Sequence, residues 1–202
     1  MKILDQIKKH VITIMDNDPA HDFEHIMRVY RNAEKICKTE TGNKKLILSA
    51  VLLHDIVKIK NQKDSATKSA KLSEKILKEN CFLDDEIGII SDAIKEHSFS
   101  KGKIPSSIEG KILQDADRLD AIGAIGLARV FSFSGSNNRP FYDPKDPFSK
   151  NRVIDDNKWA LDHFFEKLLT LEKKMNTKTG KILAKNRTKI LKNFLKELKT
   201  EI

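Results

Sequence analysis

Hydrophobic residues recur at helical spacing along almost the whole chain. Ile3, Ile7, Val11 and Ile14 mark a first amphipathic helix. The segment 44–59 is hydrophobic on nearly all sides, so we predict a central, buried helix there. We see no strong strand pattern and no internal repeat, and the sequence therefore predicts an all-α fold. The predicted helices cover about 3–14, 22–36 (with Asp22 as N-cap), 44–59, 64–79, a stretch from 84, 108–131, 158–175 and 179–201.

The segment 134–157 has a different character from the helices around it. It contains "SGSNNRPFYDPKDPFSKN", with three prolines and several turn-forming residues. Loops of this length are uncommon unless they are functional or disordered, and the rings of Phe141, Tyr142 and Phe148 argue against simple disorder. Two interpretations stay open. Tyr142 could stack on a nucleobase as part of a lid, or the rings could pack on the core and pin the loop.

Composition sets the broad class of the protein. The chain has 202 residues, 39% of them apolar and 33% charged, which is enough for one sizeable core. The two cysteines are too few for a disulfide framework, and no signal peptide or apolar run of about 20 residues is visible. We therefore expect a cytoplasmic protein without a membrane partner.

The net charge of +9 raises the question of an anionic partner. The lysines look scattered, and many lie between carboxylates on presumed helix surfaces. This pattern favours a solvated surface, so no stable nucleic-acid complex is expected. A phosphorylated small molecule would also be attracted by the positive field.

The most apolar predicted helix contains an ionisable pair. In "AVLLHDIVK", His54 and Asp55 stand between apolar residues. Burying such groups is costly unless they are paired or bind a metal. A bound metal ion would neutralise Asp55 and accept a lone pair from His54.

Other helices carry residues that could complete such a site. "HDFEH" puts His21 and His25 four residues apart, on one helix face. "QDADRLD" supplies Asp115, Asp117 and Asp120. Two imidazoles and two carboxylates form a mixed nitrogen and oxygen site, which suits Mn, Fe, Co, Ni or Zn.

Taken in order, these motifs resemble the HD-domain metal-dependent phosphohydrolase superfamily. The matching segments are "FEHIMRV", "LLHDIVK", "KEHSFS" and "DADRLDAIGAIGLARVF". The chain is most similar to the branch of small stand-alone bacterial HD hydrolases, which shares the later block "DHFFEKLLTLEKKMNTKTGKILAKNR". The resemblance implies a single HD domain over 1–202, with a metal-binding core at about 20–133, the loop 134–157 and C-terminal helices at 158–201.

The resemblance also implies a ligand set and a reaction. The implied metal ligands are His25, His54, Asp55 and Asp117, with Asp120 as an alternative to Asp117. The implied cofactor is a divalent ion, with Mn preferred and Mg, Co, Ni, Fe or Zn as alternatives. The implied reaction is hydrolysis of a phosphoester or phosphoanhydride of a nucleotide (nucleoside triphosphate or monophosphate), and we expect a monomer or homodimer.

Further residues are assigned to catalysis and substrate binding. Asp55, His97 and Arg118 are predicted to be catalytic, with His97 above the metal. Basic residues near the metal hold phosphate groups in HD enzymes generally. The predicted substrate-binding residues are His21, Arg28, Lys58, Arg129, Tyr142 and Arg187.

Two alternatives from other classes remain. His21 and His25 have the His-x3-His spacing of zinc metallopeptidases, although Asp22 stands where those enzymes have a glutamate. An HD fold can also serve as a non-catalytic nucleotide-binding module. The intact set of four candidate ligands argues against that alternative.

Overall fold

The computed structural model describes residues 2–15, 23–57, 64–98 and 102–202, and all regular structure in these ranges is helical. This confirms the all-α prediction. No helix in the described ranges combines the length and the apolar character that a membrane span requires. The helices are α1 Lys2–Ile14, α2 Phe23–Ile36, α3 Lys44–Leu53, α4 Ser65–Glu79, α5 Asp84–Glu96, α6 Ile108–Asp120, α7 Gly123–Ser136, α8 Asp162–Glu166 and α9 Lys178–Glu201, with a 3-10 helix at Leu168–Lys174.

One compact unit comprises Met1–Asp117 and Asn176–Gly180. Helix α3 lies at its centre, in contact with α1, α2, α4 and α5, and every residue in 46–53 is buried. Asn43 caps its start, because its side chain accepts hydrogen bonds from the backbone N–H groups of Lys45 and Leu46.

Helix α3 ends at Leu53, earlier than the predicted end at 59. The pair His54–Asp55 therefore follows the helix instead of lying inside it. Residues 58 and 59 lie outside the described ranges.

The single helix predicted over 108–131 is divided in two. Helix α6 ends at Asp120 and α7 begins at Gly123, whose φ of +82° lies in the left-handed region that favours glycine. A Cβ atom at this position would also lie 3.1–3.4 Å from side-chain atoms of Arg187. Arg187, which is distant in the sequence, thus packs against the break.

A second compact unit comprises Arg118–Met175 and Lys181–Ile202. Its core contains an aromatic cluster of Phe131, Phe164 and Phe194, with ring centroids 5.7–6.0 Å apart. Offset and tilted rings at these distances stabilise one another beyond their buried area.

The predicted helix 158–175 is replaced by the short α8 and the 3-10 helix. The backbone N–H groups of Ala160 and Leu161 donate to the carbonyls of Pro140 and Phe141. Because these donors bond to the preceding loop, α8 begins only at Asp162. The loop in turn begins after Ser136, where α7 ends, and not at the predicted 134.

Candidate metal centre

Two histidines occupy equivalent positions at helix ends. His54 is the C-cap of α3 and His97 is the C-cap of α5. The Nδ1 atom of His54 lies 2.7 Å from the carbonyl oxygen of Val51, and that of His97 lies 2.6 Å from the carbonyl oxygen of Ile94. The last carbonyls of a helix lack donors within the helix. A neutral imidazole that donates from Nδ1 therefore keeps its lone pair on Nε2.

His54 is held in the neutral form. Its side chain is fully buried, and burial lowers its pKa to about 4 although Asp55 opposes this shift. Its Nε2 atom has no hydrogen-bond partner among the described residues. An orphaned buried nitrogen that carries a lone pair is the kind of atom that a metal ion satisfies.

His25 on α2 brings a second imidazole to the same point. Its Nε2 atom lies 3.7 Å from Oδ2 of Asp55 and 3.6 Å from Oδ1 of Asp117. The Nε2 atom of His54 lies 3.8 Å from the same oxygen of Asp55. One potential ligand atom from each of His25, His54 and Asp55 lies within 4.8 Å of the others. Asp117 joins this group through its contact with His25.

These separations suit a divalent metal ion. Bonds of about 2.0–2.2 Å place two ligand atoms about 3 Å apart at a right angle and about 4.4 Å apart on opposite sides of an ion. The observed spacings of 3.6–3.8 Å lie between these limits and exceed hydrogen-bond length. The side chains of Asp55 and Asp117 are 22% and 28% exposed, so the carboxylate side of the cluster is open to water.

His97 stands beside this cluster. Its ring lies edge-on to that of His54, with centroids 5.1 Å apart, while the rings of His54 and His25 are 5.4 Å apart. The three imidazoles thus form a row with His54 in the middle.

Two buried amides that the sequence analysis did not single out hold these elements together. Asn32, seven residues after His25 on α2, donates to the carbonyl of Ala116, next to Asp117. Gln114 on α6 donates to the carbonyls of His97 and Lys103. A usable signal was present, since both amides lie at helical spacing among apolar core positions.

The three aspartates of "QDADRLD" have different environments. Asp115 is buried and accepts hydrogen bonds from the backbone N–H groups of Asn176 and Thr177. Burial raises the pKa of Asp115, and these hydrogen bonds oppose that shift. The buried Asp120 accepts a hydrogen bond of 2.9 Å from Nη1 of Arg129. Asp117 is the one of the three whose carboxylate approaches His25. The geometry therefore favours Asp117 over Asp120 as the last ligand.

Two of the predicted substrate-binding residues, His21 and Lys58, lie outside the described residues. Arg28 is half-buried on α2, one turn after His25.

Two further predicted substrate-binding arginines and the predicted catalytic Arg118 have protein partners within the second unit. Arg118 donates to the carbonyl of Lys174, Arg129 pairs with Asp120, and Arg187 donates to the carbonyl of Leu119. Burial lowers the pKa of Arg187, and Asp120 opposes that shift. The catalytic role of Arg118 and the substrate contacts of Arg129 and Arg187 stay predictions.

The loop that carries Tyr142 is tied down by its own contacts. Phe141 packs 5.1 Å from Phe131, and Phe148 lies 6.5 Å from Phe165, between ring centroids. Each of these two phenylalanines thus contacts another ring, although Phe141 is 58% exposed. Tyr142 is half-buried, and its stacking on a base stays a prediction.

The loop is also anchored by the buried Asp162. Arg152 makes two hydrogen bonds to its carboxylate, of 2.6 and 2.7 Å. Ser149 and the backbone N–H of Asp155 donate to the same carboxylate. Burial alone would raise the pKa of Asp162, but these hydrogen bonds prevail and lower it.

The chain is similar to known proteins over almost its whole length. Residues 22–122 match the family model of the HD domain. The uncharacterized protein YpgQ of Bacillus subtilis is 34% identical over 208 residues, which cover 100% of this chain and 95% of YpgQ. The crystal structure of an HD-superfamily hydrolase from Bacillus thuringiensis has a TM-score of 0.80 and 33% identity, over 99% of this chain and 96% of that one.

A crystal structure of Bacillus subtilis YpgQ in complex with ADP is also similar. Its TM-score is 0.77 at 31% identity, over 100% of this chain and 95% of that one. The ordered motifs, the helical fold, the histidine and aspartate cluster and these full-length matches all agree: the chain belongs to the HD-domain family, alongside small bacterial HD-superfamily hydrolases.

Proposed function

We propose that this protein is a metal-dependent phosphohydrolase that uses water to cleave a phosphoester or phosphoanhydride bond of a nucleotide, either a nucleoside triphosphate or a monophosphate. The observation that carries the proposal is the cluster of His25, His54, Asp55 and Asp117 around the orphaned Nε2 atom of His54. A nucleotide substrate is supported by YpgQ, whose structure was determined with ADP.

The four clustered residues would hold a divalent ion. Mn is our preferred metal, and Mg, Co, Ni, Fe or Zn are alternatives that the same donor set accommodates. When bound, such an ion polarises a phosphoryl oxygen and lowers the pKa of a coordinated water. The chain has no need of a serine or cysteine nucleophile in this scheme.

The protein side chains prepare the site for an anionic substrate. His54 contributes a neutral donor atom, because burial lowers its pKa to about 4. Asp55 directs Oδ2 towards both imidazoles, and its carboxylate would also accept a hydrogen bond from the attacking water and orient it. His97, whose ring lies edge-on to that of His54, would stand beside the metal and contact a phosphate oxygen. Arg28 adds positive charge one turn from His25, which stabilises charge on the phosphoryl group.

We further propose that residues 1–202 work as one HD domain, in the cytoplasm, as a monomer or homodimer. Support for one domain comes from the relatives, whose matches extend over 99–100% of this chain. Cys37 and Cys81 are both free thiols, as a reducing compartment would keep them.

A product screen tests the reaction. Purified protein is incubated with nucleoside mono-, di- and triphosphates and each candidate metal, and phosphate and pyrophosphate are measured separately. Release of pyrophosphate from a triphosphate would assign cleavage to the bond between the α- and β-phosphates, and release of phosphate would assign it to a terminal group. Asp55→Asn should abolish release, whereas Asp92→Asn, the same change at an exposed carboxylate on α5, should not.

Two results would contradict the proposal. Tight nucleotide binding without turnover, with every metal tested, would indicate a binding module. Metal-dependent peptide cleavage without nucleotide turnover would favour the metallopeptidase alternative.

A further inference from the structure

Helix α9 carries a stripe of exposed lysines, which we call the lysine stripe. Its members follow one another at intervals of three or four residues, so at 100° per residue they lie within an arc of about 80° around the helix axis. The stripe spans 19 residues, and its ends are about 27 Å apart at 1.5 Å per step. Its members are Lys181, Lys185, Lys189, Lys192, Lys196 and Lys199.

The charge of the lysine stripe is not balanced within its helix. No aspartate or glutamate stands three or four residues from any of its members. Glu197 and Glu201 lie on another side of α9, about 80–120° from the edge of the stripe. In the described part of the chain, the stripe makes one ion pair, between Lys192 and Glu172 at 3.9 Å.

Repulsion within the stripe opposes helix formation. Like charges at spacings of three and four residues are destabilising, and five such lysine pairs occur along the stripe. On an ordinary solvated surface helix, lysines alternate with acidic residues, as they do on α4. There Lys71, Lys75 and Lys78 each have Glu74 or Glu79 three or four residues away. The stripe on α9 is therefore different from an ordinary lysine-rich helix surface.

The rest of the second unit presents the stripe to solvent. Ala184, Thr188 and Leu191 are buried on a neighbouring side of α9, about 20–80° from the edge of the stripe. At one end of the stripe, Lys173 lines the same shallow hollow as Lys181. The hollow is completed by Glu172, Ile182 and Lys185.

We infer that the lysine stripe binds the phosphate backbone of a nucleic-acid duplex without reading its sequence. A duplex carries one negative charge per about 1.7 Å of its axis, so a straight line of cations about 27 Å long meets phosphates along its whole length. Lysine side chains make such contacts as point charges. Contacts of this kind position a protein on a duplex but do not distinguish one base from another.

Other polyanions fit the stripe less well. Single strands are held by aromatic side chains on which bases stack, and the one aromatic residue of α9, Phe194, packs into the aromatic cluster. An anionic bilayer is bound by helices that insert a broad apolar face beside their lysines, and only Ile182 borders the stripe closely. The inference therefore departs from the expectation, drawn from the sequence, that no stable nucleic-acid complex forms.

The inference is tested by fluorescence anisotropy with a labelled DNA duplex of about two helical turns. The full-length protein should bind, and log K should fall with log salt concentration with a slope of up to about −5, because each neutralised phosphate contributes about −0.9. The test variant is Lys185→Gln/Lys189→Gln/Lys196→Gln. It should bind at least about tenfold more weakly and lose about 2.7 of the slope.

The matched control is Lys71→Gln/Lys75→Gln/Lys78→Gln on α4. Both triple variants lower the net charge from +9 to +6 (9 − 3), but only the first alters the stripe. The control should bind within about twofold of the wild type, and both variants should keep wild-type circular dichroism and nucleotide turnover. Equal weakening by both variants would overturn the inference in favour of diffuse charge. So would absence of duplex binding at 50 mM salt, or stripe-dependent binding to phosphatidylglycerol vesicles but not to the duplex.

Discussion

His54 has two opposing influences on its charge. The helix dipole favours a cation at a C-terminus by about 0.3–1 kcal/mol. Burial acts in the opposite direction and lowers the pKa of His54 from 6.5 to about 4, a gap that corresponds to about 3 kcal/mol. Burial therefore prevails, and the imidazole keeps the lone pair that a metal ligand needs.

The pKa of His54 predicts how the stability of the metal-free protein depends on pH. Between pH 6.5 and about 4 the unfolded chain takes up a proton that the folded chain excludes. The free energy of unfolding should consequently fall as pH falls through this window, by about 3 kcal/mol from this group. Urea unfolding of chelator-treated protein at several pH values measures this dependence.

Other groups also titrate in this range, so a variant is needed to separate the contribution of His54 to the pH dependence of stability. His54→Asn cannot take up the proton and should be less sensitive to pH than the wild type by about 3 kcal/mol. Parallel pH profiles for the two proteins would mean that His54 takes up its proton at the same pH in the folded and the unfolded chain.

Substitutions of the aspartates test the assignment of the last ligand. Asp117→Ala should lose bound metal and turnover, as should His54→Ala and Asp55→Ala. Asp120→Ala should keep its metal and lose about 1–3 kcal/mol of stability, because it removes the acceptor of Arg129. Metal content by elemental analysis and thermal unfolding distinguish these effects. Loss of metal from the Asp120 variant alone would reverse the assignment.

Among the helices, those defined by local signals agree best with the sequence. The predicted and observed bounds of α4 nearly coincide, and α5 begins at the predicted Asp84. The break at Gly123 could not be predicted, because it involves Arg187. The late start of α8 depends equally on distant carbonyls, those of Pro140 and Phe141. Helical periodicity contains no information about such contacts.

The bridge made by Gln114 between α6 and the end of α5 should position His97. Gln114→Glu keeps the size of the side chain but loses the donors to the carbonyls of His97 and Lys103. We expect metal content to be retained while turnover falls or KM rises, since the four ligands are untouched. Gln6→Glu, an exposed site on α1, is the matched control. Unchanged kinetics, with only a lower melting temperature, would make Gln114 purely structural.

The loop before α8 allows its two interpretations to be separated. Asp162→Asn should destabilise the protein by about 3 kcal/mol, because it removes the charge of the buried carboxylate that accepts two hydrogen bonds from Arg152. Tyr142→Ala should leave stability nearly unchanged and raise KM for a nucleotide if the ring stacks on the base. Thermal unfolding and steady-state kinetics measure both. A lower melting temperature with unchanged KM for the Tyr142 variant would remove the lid interpretation.

At the scale of the whole molecule, the candidate site was partly visible in the sequence. The residue types and order of His25, His54–Asp55 and Asp117 suffice to propose a metal site, because few other roles use such a set. The supporting contacts of Asn32 and Gln114 could not be proposed, because they join residues 84 and 17 positions apart, respectively. The lysine stripe, by contrast, follows from the sequence, because the helix predicted over 179–201 already aligns its members. The structure adds that all six side chains are exposed.

Removal of the metal should destabilise the protein as a whole. The candidate ligands come from α2, from the turn after α3 and from α6, so a bound ion connects three separate segments. At a free metal concentration of 100 times Kd, binding to the folded state adds about 2.7 kcal/mol, which raises Tm by roughly 5–10 °C for a chain of this length. Circular dichroism melts with Mn and with a chelator measure this difference. His54→Ala should show no metal-dependent shift and Asp92→Asn should behave as the wild type; a shift that survives in His54→Ala would show that the stabilising ion binds elsewhere.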